Sequence, residues 1–265
     1  MLELTTAIRI TAILVGVHAC YTALALLAVR NRYRRGGLLD GRVVYATTGN
    51  WLPRLLDPIL SRFVSILVGR LLVGLGLVAS AISGSVPASL VGLLVVTDLL
   101  VQFRNFGRLS SGFSVALVVD VGLFLAVLAP EESVLQQVAV LFIAAHGILG
   151  YVVPGIEKLK GPAWRNGTAP VLVFSMESQG HATLYSFFQE YRYVATAVAW
   201  AILAFEVLFV FVLVVDPPLG YLFFAGGILL HATVAVTMRI PGFLFVFPAT
   251  YPAIAYANGV VPTLL

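Results

Sequence analysis

Eight ionisable side chains stand in, or at the edge of, long apolar runs: His18, Arg70, Asp98, Asp120, His146, Lys158, Glu206 and His231. A charge in hydrocarbon costs roughly 2.5–3.5 kcal/mol on insertion scales, so each is expected to face the inside of a bundle and to be paired, hydrogen-bonded or used. The chemistry open to this set is acid–base chemistry. Glu206, flanked by Phe205, Leu208 and Phe209, either handles a proton or is a neutral, hydrogen-bonded structural group. His231, inside Leu229-Leu230-His231-Ala232, is likewise either a hydrogen-bonded packed ring or a ligand. Arg70 lies about seven residues into its run, where it either reaches back to the interface or pairs with Asp98 or Asp120. Those two aspartates, towards the ends of their runs, are partners for Arg70 or interface residues. No HExxH pattern or Cys/His cluster accompanies them, and Cys20 is the only cysteine, so neither a metal centre nor a disulfide is expected.

The most informative stretch is Tyr151-Val152-Val153-Pro154-Gly155-Ile156-Glu157-Lys158-Leu159-Lys160-Gly161-Pro162-Ala163-Trp164-Arg165-Asn166-Gly167. A lysine and a tryptophan at a helix end are ordinary interface anchors. Pro-Gly before the lysine and Trp-x-x-Gly after it are less ordinary. A lysine in such a bent, partly desolvated place can act as a base when a polar partner such as Glu206 or His146 is in reach. As an anchor it points into the headgroups instead.

The elements that position these residues follow from composition. The 265 residues are 60% hydrophobic and 11% charged, too apolar and too sparsely charged for a water-soluble domain. Apolar runs at about 10–29, 64–82, 86–101, 113–129, 134–153, 193–215, 219–236 and 243–257 predict an all-α polytopic membrane bundle of about eight transmembrane helices. Their unbroken apolarity argues against barrel strands, which alternate. One domain over 1–265 is expected, with a polar, Arg-rich loop over about 30–62 whose residues 51–60 form an interfacial helix. The first run, near 20 residues long and followed by arginines, reads as a retained helix rather than a signal peptide. The net charge of +4 reflects arginines gathered at helix ends, which orient the chain in a lipid bilayer and do not point to nucleic acid. They put the 30–62 loop, Arg104, Arg108, Lys158, Lys160, Arg165, Arg192 and Arg239 in the cytoplasm and both termini outside.

Around Lys158 the sequence resembles the HTTM (horizontally transferred transmembrane) domain, the membrane domain of vitamin K-dependent gamma-carboxylases and their prokaryotic relatives. The family pattern of an aromatic, a small residue with Gly, Lys-Leu and Trp-x-x-Gly reads here as Tyr151, Pro154-Gly155, Lys158-Leu159 and Trp164-Arg165-Asn166-Gly167. Ala7-Ile8-Arg9-Ile10 in the first helix, Glu206 in a later one, and His231 followed by Met238, Gly242 and Phe243 extend the likeness. The resemblance implies a quinone pocket for reduced vitamin K or menaquinone. In it Lys158 would be the base that deprotonates the quinol, Glu206 and His231 would assist proton movement, and Trp164, His146 and Tyr151 would line the cofactor. It also implies an integral protein of a prokaryotic plasma membrane. Where the carboxylases have Asn-His-Ser-Tyr this chain has Gly107-Arg108-Leu109-Ser110, and their luminal substrate-binding domain has no counterpart before Leu265. The expectation is therefore a carboxylase-like or epoxidase-like quinol reaction rather than peptide carboxylation. The alternative is a non-enzymatic accessory or maturation factor, like the short relatives associated with sporulation-delaying protein B. Its protein partner is unknown.

Overall fold

The computed structural model describes residues 2–34, 36–37, 39–40, 57–105, 111–177 and 180–263, and among these there are helices and turns but no strands. Most of the expected loop over 30–62, including 51–56 of its interfacial helix, lies outside the described residues, as does the 107–110 stretch. The principal helices are α1 (Leu4–Ala28), α2 (Phe63–Ile82), α3 (Ala88–Asn105), α4 (Ser111–Leu128) and α5 (Val134–Lys160). They are followed by α6 (Ala169–Ser175), α7 (Ala182–Glu190), α8 (Arg192–Leu208), α9 (Pro217–Thr237), α10 (Gly242–Val246) and α11 (Tyr251–Val260). A 3₁₀ turn, Phe209–Leu213, prolongs α8, and another, Pro248–Thr250, joins α10 to α11.

Among the described residues, seven segments are long and apolar enough to cross a membrane: α1, α2, α3, α5, α8 with its prolongation, α9 and Gly242–Thr263. The chain is that of an all-helical integral membrane protein. Helix α4 carries a shorter apolar stretch, Ser114–Leu128. Two elements differ from the sequence expectation. Helix α5 does not stop near residue 153 but runs through Pro154 and Gly155 to Lys160. Pro154 removes one backbone donor, yet apolar surroundings offer the remaining backbone groups no partner better than the helix itself. The last run is one span, Gly242–Thr263, as expected, but its α-helix gives way to a 3₁₀ turn at Pro248, which has no N–H to continue the ladder.

The chain divides into two compact units, residues 3–143 and residues 144–265 with residues 1–2. Within residues 3–143, α1 lies along α2 with Gly16 and Gly74 in backbone contact, the close approach that small residues permit between membrane helices. Polar groups from four helices meet in this unit. Arg70 of α2, fully buried, donates from Nε to Thr22 Oγ1 at 3.1 Å and from Nη1 to Thr97 Oγ1 at 3.3 Å, and forms an ion pair with Asp98 at 2.5 Å. The interface reading of Asp98 and Asp120 is corrected here: they stand mid-helix in α3 and α4, and they are 0% and 1% exposed. Arg104, at the end of α3, is also buried and donates to the Leu39 carbonyl at 2.7 Å beneath the Tyr33 and Phe63 rings.

Within residues 144–265, α6, α7 and α8 share a small core of Val171, Phe188 and Ala195. A larger aromatic cluster of Tyr151, Phe209, Phe247 and Tyr251 joins α5 to the final segments.

Candidate functional site

Residues 147, 151, 155 and 158 recur at helical spacing, so Gly147, Tyr151, Gly155 and Lys158 share one face of α5. On that face Gly155 decides what comes next. A Cβ built there would stand 2.9 Å from Glu206 Cβ and 3.1 Å from the Val207 amide nitrogen, so only glycine lets α8 approach this closely. The approach delivers Glu206, 6% exposed, to Lys158, and the two side chains form an ion pair through Glu206 Oε1. Glu206 Oε2 is buried and has no hydrogen-bond partner among the described residues. The Lys158 side chain is 26% exposed.

Trp164 completes this group. Gly161 ends α5 and Pro162 starts a single helical turn, Pro162–Arg165, with proline at its first position. The turn lays the Trp164 ring 5.3 Å from Lys158 Nζ, within cation–π range. Asn166 then accepts from the Thr168 amide at 3.1 Å, and Gly167, at φ +76°, packs directly against Thr196 of α8. The Trp-x-x-Gly pattern thus has a physical reading: the aromatic covers the ammonium, and the glycine supplies a left-handed turn with no side chain to hold α8 away.

A second group lies deeper on the same face of α5. The Tyr151 hydroxyl stands 2.6 Å from the Tyr251 hydroxyl and 2.9 Å from His231 Nε2, a three-member hydrogen-bonded chain. Its members are 1%, 6% and 6% exposed in the order Tyr151, Tyr251 and His231. Tyr151 stacks on Phe209 at 3.9 Å, and His231 stacks on Phe247 at 4.1 Å. His231 Nδ1 is buried and has no hydrogen-bond partner among the described residues. Tyr151 and Lys158 are two helical turns apart, about 10 Å along the axis.

Five of the six expected site residues therefore fall into two neighbouring groups, Lys158 with Glu206 and Trp164, and Tyr151 with His231. His146 does not join them. Five residues before Tyr151 it points about 140° away around α5, and it is only half-buried. Tyr251 was missed, since one tyrosine in an aromatic-rich apolar run looks like packing. The signal available was a hydroxyl held rigidly between Pro248 and Pro252.

Chemically, the Lys158–Glu206 pair shares one transferable proton. With the proton on lysine the pair is ionic; with it on Glu206 both groups are neutral, and Nζ has a lone pair that can take a proton from a ligand. The tyrosine–histidine chain can pass a proton by exchanging donor and acceptor roles. Among the described residues, no group of three or more His, Cys, Asp or Glu side chains is placed to hold a metal ion. A cavity of about 90 Å³, lined by Val212, Pro217, Gly220, Tyr221, Phe224 and Asn258 among others, contains none of the expected site residues. No protein-family model, curated protein or solved structure matches the chain.

Proposed function

We propose that the protein is a small integral-membrane quinol-dependent enzyme of the HTTM type, resident in the plasma membrane of a prokaryote, with α4 as the eighth membrane crossing. Lys158 is its base. The observation that carries this reading is the ion pair of Lys158 with a buried Glu206 beneath Trp164. A lysine that serves only as an anchor has no need of a buried carboxylate partner or an aromatic lid.

Reduced vitamin K or menaquinol, when bound, supplies the acidic hydroxyl and, with dioxygen, yields the quinone epoxide and water. What supports such a ligand is a pair of buried polar atoms without partners among the described residues, Glu206 Oε2 and His231 Nδ1, with the aromatic rings of Tyr151, Phe209 and Phe247 beside His231. Glu206 takes the proton from Lys158 and leaves the amine free to accept one from the ligand hydroxyl. Trp164 limits water at Nζ and steadies the ammonium once it forms. Tyr151 and His231, joined by a hydrogen bond and braced by Tyr251, hold the far side of the ligand, and both quinol protons leave in the water formed.

The test is oxygen uptake by the purified protein in lipid nanodiscs with reduced menaquinone or vitamin K hydroquinone. Uptake that is lost in Lys158→Ala, with quinone epoxide as product, supports the reading. Equal uptake in both proteins refutes the base assignment. A second reading, a non-enzymatic accessory or maturation factor, is favoured by the way the same ion pair ties α5 to α8. No uptake from folded protein selects it.

A further inference from the structure

The buried group inside residues 3–143 has a charge problem with one simple solution. Arg70 is a permanent cation, and it stands in the low-dielectric interior with two carboxyl groups, Asp98 and Asp120, all of them at most 1% exposed. Thr22 and Thr97 satisfy Nε and Nη1 of the guanidinium, and Asp98 takes its charge. The second carboxyl is left without a counter-charge. Asp120 lies within hydrogen-bonding reach of Asp98; Asp98 Oδ1 is taken up by Arg70 Nη1, whereas Asp98 Oδ2, Asp120 Oδ2 and Arg70 Nη2 have no hydrogen-bond partner among the described residues. Among the described residues, the other titratable groups facing this site are His18 and Cys20, both on α1. Two like-charged carboxylates in contact cannot both ionise in such a place, and what is missing is one positive charge and one donor between two oxygens.

We propose that Asp98 and Asp120 bind a single proton between them, making with Arg70 a charge-neutral proton site inside the membrane-embedded helices, independent of Lys158 and Glu206. The ligand is a proton rather than a metal cation on two grounds. Hard cations gather six or more oxygens, and no such group forms among the described residues. The position a cation would take beside Asp98 is filled by the Arg70 guanidinium, which repels it. The carboxyl that keeps the proton donates to the other, so the three buried groups carry no net charge. Four helices contribute to the site, so gain or loss of its proton alters the charge at the point where all of them meet.

The experiment is infrared spectroscopy of the full-length protein in lipid nanodiscs at neutral pH, reading the C=O band of a protonated carboxylic acid and its shift on H/D exchange. A band present in wild type and in Glu206→Gln, but lost in Asp120→Asn, is the expected result. Asn is nearly isosteric with Asp and can donate to Asp98, so this variant keeps the packing. If it does not purify folded, Asp120→Glu must shift the band, and an unshifted band overturns the proposal. So does the absence of a band in wild type, its persistence in Asp120→Asn, or its removal by sodium chloride, which would make the occupant a metal cation.

Discussion

Gly155→Ala is the substitution on which the geometry of the Lys158 site depends most sharply. A methyl group there meets Glu206 Cβ at 2.9 Å and the Val207 amide nitrogen at 3.1 Å, where ordinary contact begins at 3.4 Å. One obstacle is backbone and the other is the first atom of a buried side chain, so neither can rotate away. Helix α8 must retreat by about half an ångström or more, at an overpacking cost of about 1–3 kcal/mol. The helix-forming advantage of alanine over glycine returns up to about 1 kcal/mol. The net change is a loss of between about 0 and 3 kcal/mol, seen as a lower apparent Tm in nanodiscs. A second readout separates the site from general stability. Retreat of Glu206 releases Lys158, so acetylation of Lys158 by a water-soluble amine reagent, followed by mass spectrometry, accelerates in the variant. The exposed ion pair Glu157–Lys160 supplies an internal reference. A variant as stable as wild type, with Lys158 equally protected, would refute the close approach and the role given to Gly155.

Other expectations follow from the same contacts. A double-mutant cycle of Lys158→Met and Glu206→Gln in thermal unfolding gives a coupling of about 1–3 kcal/mol, whereas additive effects would show that the pair does not form. Tyr151→Phe breaks two buried hydrogen bonds and costs about 2 kcal/mol, while Tyr251→Phe breaks one and costs about half as much. The reverse order would displace Tyr151 from the centre of the chain. A cysteine introduced at Gly36 in a Cys20→Ser background stays unlabelled by an impermeant thiol reagent in intact cells. Labelling there would reverse the orientation drawn from the arginines.

The helices were legible because apolar runs of this length have only one use for their backbone polar groups, and the starts and stops at Asp216-Pro217 and Ser83-Gly84 fall where the residues mark them. The pairing of Arg70 with Asp98, and the need of Lys158 for a partner, were legible for a related reason: an unpaired charge inside a membrane is too costly to keep. The continuation of α5 was not, because Pro-Gly normally ends a helix in water and only the surrounding apolar packing sustains it here. The depth of Asp98 and Asp120 was lost in a few residues of uncertainty at each helix end. Gly155 was visible as a motif residue, but its meaning depends on which helix packs against it, and that contact joins residues about fifty positions apart. Tyr251 reveals itself only through the hydroxyl of Tyr151, one hundred positions away.

The central claim, that Lys158 removes a proton from a quinol, is tested most directly without oxygen. Purified wild type, Lys158→Ala and Glu206→Gln in nanodiscs are mixed anaerobically with reduced menaquinone, and ultraviolet absorbance follows the conjugate base of the quinol. The account predicts that base in wild type, none in Lys158→Ala, and a reduced amount in Glu206→Gln, where the amine can no longer hand its proton to a carboxylate. Equal absorbance in wild type and folded Lys158→Ala would contradict it.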